Sequence, residues 1–334
     1  MKRRNALCLI AILLPFTACS GPQYALDPRS PASSSIAQLW WVMLAIASAV
    51  SLTVVILLLV AIGRARRRER GEDVREIAGR PLVLTGGVVI PTIVLLSLLV
   101  YNFRLGASLQ SAEADEIGGL TIEVVGHQFW WEVRYPGHGI TTANEITIPA
   151  GEPVRFLVSS PDVIHSFWVP QLHGKIDMIP GRLHTLMAEA DQPGVFRGQC
   201  AEYCGMAHAL MAFWVEALQP AEFAAWVEAR TAPPLEPEDA QVERGRQVFF
   251  EAECGDCHAT RGAAAPAGSG SAAPDLADLA TRRTIGAGTL PNTPEALARW
   301  IEDPQAVKPG ARMPPTALED AEMQALLAYL GSLR

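Results

Sequence analysis

Two cysteines, a histidine and two methionines fall within twelve residues, in Cys200-Ala-Glu-Tyr-Cys204-Gly-Met-Ala-His208-Ala-Leu-Met211. Thiolate, imidazole and a weak thioether form the donor set of electron-transfer copper. Two thiolates four residues apart can curl around one site and bridge two metals. A bridged pair shares one electron, so neither centre changes geometry much on redox. Such a site needs a second histidine, and His165 lies 35 residues before Cys200 in Asp162-Val-Ile-His165-Ser-Phe-Trp-Val-Pro170. Full ligation suits electron transfer, whereas a hydrolytic metal keeps an open position. A Cys200–Cys204 disulfide and a zinc site are the competing readings, the second weakened because Met is a poor zinc ligand. His127, His138, His173 and His184 read as structural or surface residues.

A second constellation is Cys254-Gly-Asp-Cys257-His258. C-x-x-C-H is the attachment motif of c-type haem, in which both thiols add to the vinyl groups and the histidine is left at the iron. Met313, in Gly310-Ala-Arg-Met313-Pro-Pro, lies 55 residues beyond His258. A methionine in a Pro-flanked loop can reach the opposite face of the iron, and His/Met ligation raises the potential. Its rival Met323 falls inside a predicted last helix, Leu318 to Leu330, where core packing is expected. The carbonyl of Pro274 is a candidate partner for the second ring nitrogen of His258.

These groups need elements to hold them, and 334 residues exceed one compact domain. Hydrophobic residues are 49% and charged residues 19%, which excludes a disordered chain. A net charge of −8 argues against nucleic acid as a partner. Lys2, Arg3 and Arg4 followed by the short apolar run Ala6 to Phe16 predict a signal peptide over 1–19. Its end, Phe16-Thr17-Ala18-Cys19, looks like a bacterial lipoprotein cleavage site with Cys19 lipidated; an ordinary signal with an incidental cysteine is the alternative. A transmembrane helical hairpin is expected over 34–104. Ile36 to Ile62 and Pro81 to Phe103 are uncharged and longer than the roughly 20 residues a bilayer core requires. Between them seven arginines stand against four acids in Gly63 to Arg80, which places that loop in the cytoplasm. Everything after about Arg104 then lies on the periplasmic or extracellular side.

From Gly119 to Leu218 the pattern changes to short alternating runs: Thr121 to Val125, Val154 to Val158, Phe213 to Glu216. Turn signals such as Pro136-Gly137, Ala150-Gly151, Pro180-Gly181 and Pro193-Gly194 separate them, as in an all-β sandwich or barrel. A domain over 117–230 is expected. The Pro-rich stretch 231–238 reads as a stiff linker, and 239–334 as a small all-α domain, with Val242 to Ala252 a helix. The Gly/Ala/Ser/Pro run within Ala259 to Pro274 reads as a flexible insertion.

From about Ser34 to Arg230 the chain resembles subunit II of cytochrome c oxidase. The residues that carry the resemblance are Gly126-His-Gln128, Asp162-Val-Ile-His165-Ser, Lys175-Ile-Asp-Met-Ile-Pro-Gly-Arg182 and Gly198-Gln-Cys200-Ala-Glu-Tyr-Cys204-Gly-x-x-His208-x-x-Met211. The resemblance implies a cupredoxin barrel holding the binuclear copper centre CuA. Its ligands would be His165, Cys200, Cys204, His208, Met211 and the backbone carbonyl of Glu202, with the Glu202 side chain on a magnesium ion at the boundary with subunit I. Most of Ala240 to Arg334 resembles class I cytochromes c, and the fusion resembles the bacterial caa-type oxidases. All six cysteines then have a place: Cys8 in the signal, Cys19 for lipid, two for copper, two for haem. The family pattern has a tryptophan directly after Gly-His-Gln as the electron acceptor from cytochrome c. Here that position is Phe129, which leaves Trp130 and Trp131 as candidates. No acid stands near Leu84, before Pro91, where many relatives carry a glutamate.

The resemblance implies electron transfer from haem c to CuA and on to a haem in subunit I, with oxygen reduction and proton pumping in the complex. The chain has no intramembrane histidine and so no oxygen site of its own. The partners implied are oxidase subunit I, the other oxidase subunits and cytochrome c or another periplasmic donor, in the bacterial inner membrane. A CuA-bearing nitric oxide reductase subunit is the alternative.

Overall fold

The computed structural model describes residues 21–73, 79–110, 119–233, 239–260 and 273–334. The signal region with Cys19, most of the Pro-rich linker and most of the 259–274 insertion lie outside the described residues. The chain divides into two units, one of residues 34–115 and one of 1–33 with 116–334.

The first unit is helical. α1 spans Pro31–Glu69 and ends in Arg66, Arg67 and Arg68. α2 (Gly79–Leu84) passes through one π-helical turn, Thr85–Val89, into α3 (Ile90–Gln110). Both helical stretches are long and apolar enough to cross a membrane. Leu52, Leu59, Val83, Leu95 and Phe103 are each more than 60% exposed, so the apolar surface runs all round rather than along one stripe. A helix of that kind needs lipid or another protein around it. The structure runs α1 seven residues beyond the predicted span, because Arg64 to Glu69 are good helix formers and the apolar pattern marks only the part a bilayer would cover.

The second unit contains a two-sheet β domain and a helical domain. The β domain has strands β1 (Thr121–His127), β2 (Trp130–Tyr135), β3 (Ile140–Ala143), β4 (Glu145–Pro149), β5 (Val154–Ser159), β6 (His165–Trp168), β7 (Ile176–Met178), β8 (His184–Ala188), β9 (Gly194–Cys200) and β10 (Ala212–Leu218). One sheet has the order β3-β2-β1-β5-β8 and the other β4-β10-β9-β6-β7. This is the all-β sandwich that the alternation predicts, cupredoxin-like as the resemblance implies. In β1 and β5 alternate residues turn inward, and the parallel register pairs Ile122 with Phe156 and Val124 with Val158. The core between the sheets is aromatic. Trp131 lies 4.9 Å edge-on from Phe213, and Phe213 stacks on Phe167 at 4.7 Å. Gly198 of β9 faces the Phe213 ring so closely that a Cβ there would overlap it. α4 (Pro220–Thr231), absent from the sequence expectation, closes the domain with Trp226 against Tyr135.

The helical domain has α5 (Ala240–Glu251), a two-stranded ribbon β11 (Thr284–Ile285) and β12 (Leu290–Pro291), α6 (Pro294–Glu302), α7 (Pro304–Val307) and α8 (Asp320–Leu330). α5 and α8 cross at Gly245, whose missing side chain leaves room for the Ala325 carbonyl and Tyr329. Val248, Phe249, Leu326 and Tyr329 fill the core, with Met323 buried among them as its helical position predicts.

Candidate metal and haem centres

β6 and β9 are antiparallel neighbours with Phe167 paired to Cys200, so His165 and Cys200 come to one end of the same sheet. The chain from Cys200 to Met211 then loops over that end before β10 begins. Cys200 Sγ and Cys204 Sγ stand 3.8 Å apart, far from the roughly 2.05 Å of a disulfide, and both cysteines are free. His165 Nδ1 is 3.9 Å from Cys200 Sγ, and His208 Nδ1 is 3.6 Å from Cys204 Sγ. Met211 Sδ is 3.8 Å from Cys204 Sγ, and the Glu202 carbonyl is 3.2 Å from Cys200 Sγ. All six donors named from the sequence therefore converge. Two soft sulfurs between two imidazole nitrogens, with a thioether and a carbonyl beyond them, fit copper. Cys200, Cys204, His165 and Met211 are buried, which keeps water from the site.

The surroundings orient these donors. Asp162 accepts from His165 Nε2 at 2.8 Å, from Gln128 N at 2.8 Å and from Val163 N at 2.7 Å. With Nε2 held, Nδ1 faces the sulfurs. Gly126 leaves room for the His165 ring, since a Cβ there would come within 3.1 Å of it. Burial raises the Asp162 pKa, but the bonds from His165, Val163 and Gln128 outweigh it and hold the carboxyl below its usual range. Burial alone would lower the His165 pKa, but the bonds to Cys200 and Asp162 raise it overall. The thiols are coupled: the hydrogen bond with Cys204 stabilises the Cys200 thiolate, and its charge then opposes ionisation of Cys204. Asp162 received no role from the sequence, although an aspartate three residues before a ligand histidine was the available signal.

The Glu202 carboxylate points outward, 3.9 Å from Lys175 Nζ. Trp131 is wholly buried in the barrel core, whereas the half-buried Trp130 stacks on His127 at 4.5 Å. Phe129 carries the next contact, described below.

In the helical domain a 3₁₀ turn at Cys254–Asp256 follows α5, and His258 N bonds back to Cys254 O at 3.0 Å. His258 Nδ1 donates to the Pro274 carbonyl at 2.7 Å, the partner expected from the sequence, and this leaves Nε2 free. Burial lowers the His258 pKa, which favours the neutral ring that iron ligation requires. Cys254 and Met313 both pack against the core of this domain. These residues fit a c-type haem.

The two domains meet beside the copper-site loop. Ala212 N, next to Met211, donates to Ala287 O at 3.0 Å, and Gly288 packs on Ala212. Asp278 is buried and accepts from Thr142 Oγ1 at 2.7 Å and from Arg282. Glu145 accepts from Arg283 N at 2.8 Å and Thr284 N at 3.1 Å, and burial pushes its pKa up to about 7. Lys308 is buried, and its Nζ donates to Phe129 O at 2.7 Å and Gly286 O at 2.8 Å. Burial lowers its pKa to about 7, against the pull of the Cys204 sulfur.

The family model for the periplasmic domain of cytochrome c oxidase subunit II matches residues 138–218, and the cytochrome c model matches residues 242–334. The chain is 38% identical over 335 residues to cytochrome c oxidase subunit 2 of Alkalihalophilus pseudofirmus, covering 98% of this chain and 96% of that one. It is 31% identical over 290 residues to the same subunit of Bacillus subtilis, covering 81% and 80%. A crystal structure of the periplasmic domain of subunit II of cytochrome oxidase from Bradyrhizobium japonicum is 34% identical, covering 35% of this chain and 96% of that one, with a TM-score of 0.34.

Proposed function

As the chain belongs to the cytochrome c oxidase subunit II family, we propose that it is the electron-accepting subunit of a haem-copper oxidase, with a binuclear copper centre in the barrel and haem c in the C-terminal domain. When bound, copper and haem c supply one-electron carriage at two fixed points, which side chains alone cannot. The observation that carries the reading is the convergence of His165, Cys200, Glu202 O, Cys204, His208 and Met211 on one site.

The chain's residues have separable tasks. Cys200, Cys204, His165 and His208, with Met211 and the Glu202 carbonyl, would hold the copper. Asp162 fixes the His165 ring, and the aromatic core around Trp131, Phe167 and Phe213 keeps the site rigid and dry. Rigidity matters because a site that moves on redox slows the transfer. Cys254 and Cys257 would hold the haem covalently, and His258 and Met313 would be its iron ligands, with the Pro274 carbonyl orienting the His258 ring. Trp130 is the surface-reaching candidate for electron uptake on the barrel. The Glu202 side chain, projecting away from the copper site, binds magnesium together with groups of subunit I.

The helices α1 and α2–α3 anchor the chain in the bacterial inner membrane as two spans joined by a cytoplasmic arginine-rich loop. Both metal domains then lie in the periplasm, where oxidase subunits and an electron donor meet them. The N-terminal signal is cleaved and Cys19 lipidated, and oxygen reduction in the assembled complex pumps protons. The relatives named above are oxidase subunits, in keeping with the oxidase rather than the nitric oxide reductase reading.

The test is purification of the complex from membranes carrying wild-type chain or Met313→Ala. Wild-type complex contains copper and covalent haem and consumes oxygen with a reduced c-type donor. The variant keeps its haem, loses the weak Met–iron absorption band and loses most donor-driven oxygen uptake. A wild-type band in the variant would move the ligand role away from Met313, and unchanged uptake would remove haem c from the route.

A further inference from the structure

The loop from Lys308 to Met313 of the haem domain lies beside the copper-site loop. Gly310, in a left-handed conformation with φ +92°, lies against Met206 and Phe129; a Cβ there would come 3.1 Å from Met206 Cβ and 3.4 Å from Phe129 Cε2. On the far side of Phe129 its ring packs on Gly205, the neighbour of Cys204, where a Cβ would come 3.0 Å from Cζ. Arg312, adjacent to Met313, donates to Gln128 Oε1 at 3.2 Å, and Gln128 Nε2 donates to Cys204 O at 2.6 Å. One unbroken set of contacts thus joins the neighbour of the candidate iron ligand to a candidate copper ligand.

Lys308 stands at the root of this loop. A lysine is rarely taken fully out of water, yet this one is 3% exposed and spends two donors on main-chain carbonyls, one in each domain. Phe129 O belongs to the barrel. Gly286 O belongs to the turn whose next residue, Ala287, accepts from Ala212 N beside Met211. No catalytic or ligand role in the proposed function uses Lys308, and a buried amine is costly unless its bonds are needed.

We propose that Lys308 is a positioning residue that pins the Met313 loop of the haem domain onto Phe129 of the copper barrel and so fixes the gap across which one electron passes from reduced haem to oxidised copper. The inference rests on the ligand assignments of the proposed function.

The variant is Lys308→Met, which matches the stem but leaves both carbonyls without a donor, with Lys308→Gln keeping one donor. Hydrogen exchange of the Ala212 amide, measured in the complete complex, reports whether the domains open. The Met variant exchanges about tenfold faster or more, equivalent to about 1.4 kcal/mol in the opening equilibrium, and the Gln variant falls between it and wild type. Flash reduction of haem c then shows slower transfer to copper in the Met variant, newly dependent on solvent viscosity, while the haem potential and the Met–iron band stay unchanged. Unchanged exchange and transfer in both variants overturns the positioning role. Loss of covalent haem or of the Met–iron band in both also overturns it, by making Lys308 a folding residue. A wild-type complex without copper, or whose copper is not reduced through haem c, would instead sink the proposed function.

Discussion

Replacing Asp162 by Asn removes the charge behind His165 while keeping size and shape. The carboxylate accepts four hydrogen bonds, from His165 Nε2, Gln128 N and Val163 N at 2.7–2.8 Å and from Ser160 Oγ at 3.2 Å. Gln128 N bonds to one carboxylate oxygen and Val163 N and His165 Nε2 to the other, so the single oxygen of an amide keeps an acceptor on one side only. The bond to His165 changes from charge-assisted to neutral, and the amide can also turn its NH₂ toward the ring. A hydrogen bond to a charged group contributes about 1.5–3 kcal/mol against about 1 for a neutral one. Partners of this kind behind a metal-bound histidine are worth about 10–100-fold in affinity, which is about 1.4–2.7 kcal/mol and overlaps the difference of about 0.5–2 kcal/mol between the two kinds of bond. Asp162→Asn should therefore weaken copper binding by about 10–100-fold, leaving covalent haem untouched. Competition with a copper chelator of known affinity, followed by the copper absorption, measures it. The pH behaviour should change too. Asp162 raises the His165 pKa, and copper must displace that proton, so wild-type affinity falls as pH drops through the raised value. In the variant this fall moves to lower pH. Affinity within about twofold of wild type would refute the claim that Asp162 orients the ligand.

Two further outcomes follow from the geometry. Glu145 has a pKa of about 7 in the docked fold and about 4.3 when freed; its raised value means that it favours the docked fold fully below the lower pKa and loses that contribution as pH rises through the higher one. With Arg282 and Asp278 as the charges facing it, stability should drop by about 1–3 kcal/mol between pH 5 and 8, after allowance for its partial exposure. Glu145→Gln should flatten that profile in thermal unfolding across this range, and an unchanged slope would contradict it. Gly245→Ala should force α5 and α8 apart at Ala325 and destabilise the haem domain by roughly 1–3 kcal/mol, read as an earlier loss of the Met–iron band on heating; an unshifted transition would mean the crossing has room to spare.

Much of this was legible because copper and haem sites are written in close spacing. Cys200 to Met211 and Cys254 to His258 each place several donors within one loop, so the sequence shows them without the fold. His165 was visible through the Asp162-Val-Ile-His165-Ser motif that carries the family resemblance, and Pro274 as a proline carbonyl in the loop after the haem motif. Strand alternation marked β1, β5 and β10, since each has one face in the core and one toward solvent. The elements that escaped are those whose signal comes from a distant partner. Gly245 looks like a helix-weakening residue until α8 lies on it, and α4 has no deep apolar face of its own. Lys308 was the least legible: a single lysine after a short helix carries no sign that it will be buried between two domains. Trp131 was grouped with Trp130 because adjacent aromatics look alike in sequence, although alternation along β2 sends one to the surface and the other into the core.

The most direct test of the account counts copper and covalent haem per chain in the purified oxidase and records the copper signal before and after Cys200→Ser. The account predicts two coppers and one haem per chain, with a mixed-valence signal that disappears in the variant while the haem remains. One copper per chain, zinc in its place, or a mixed-valence signal that survives the loss of Cys200 would contradict it.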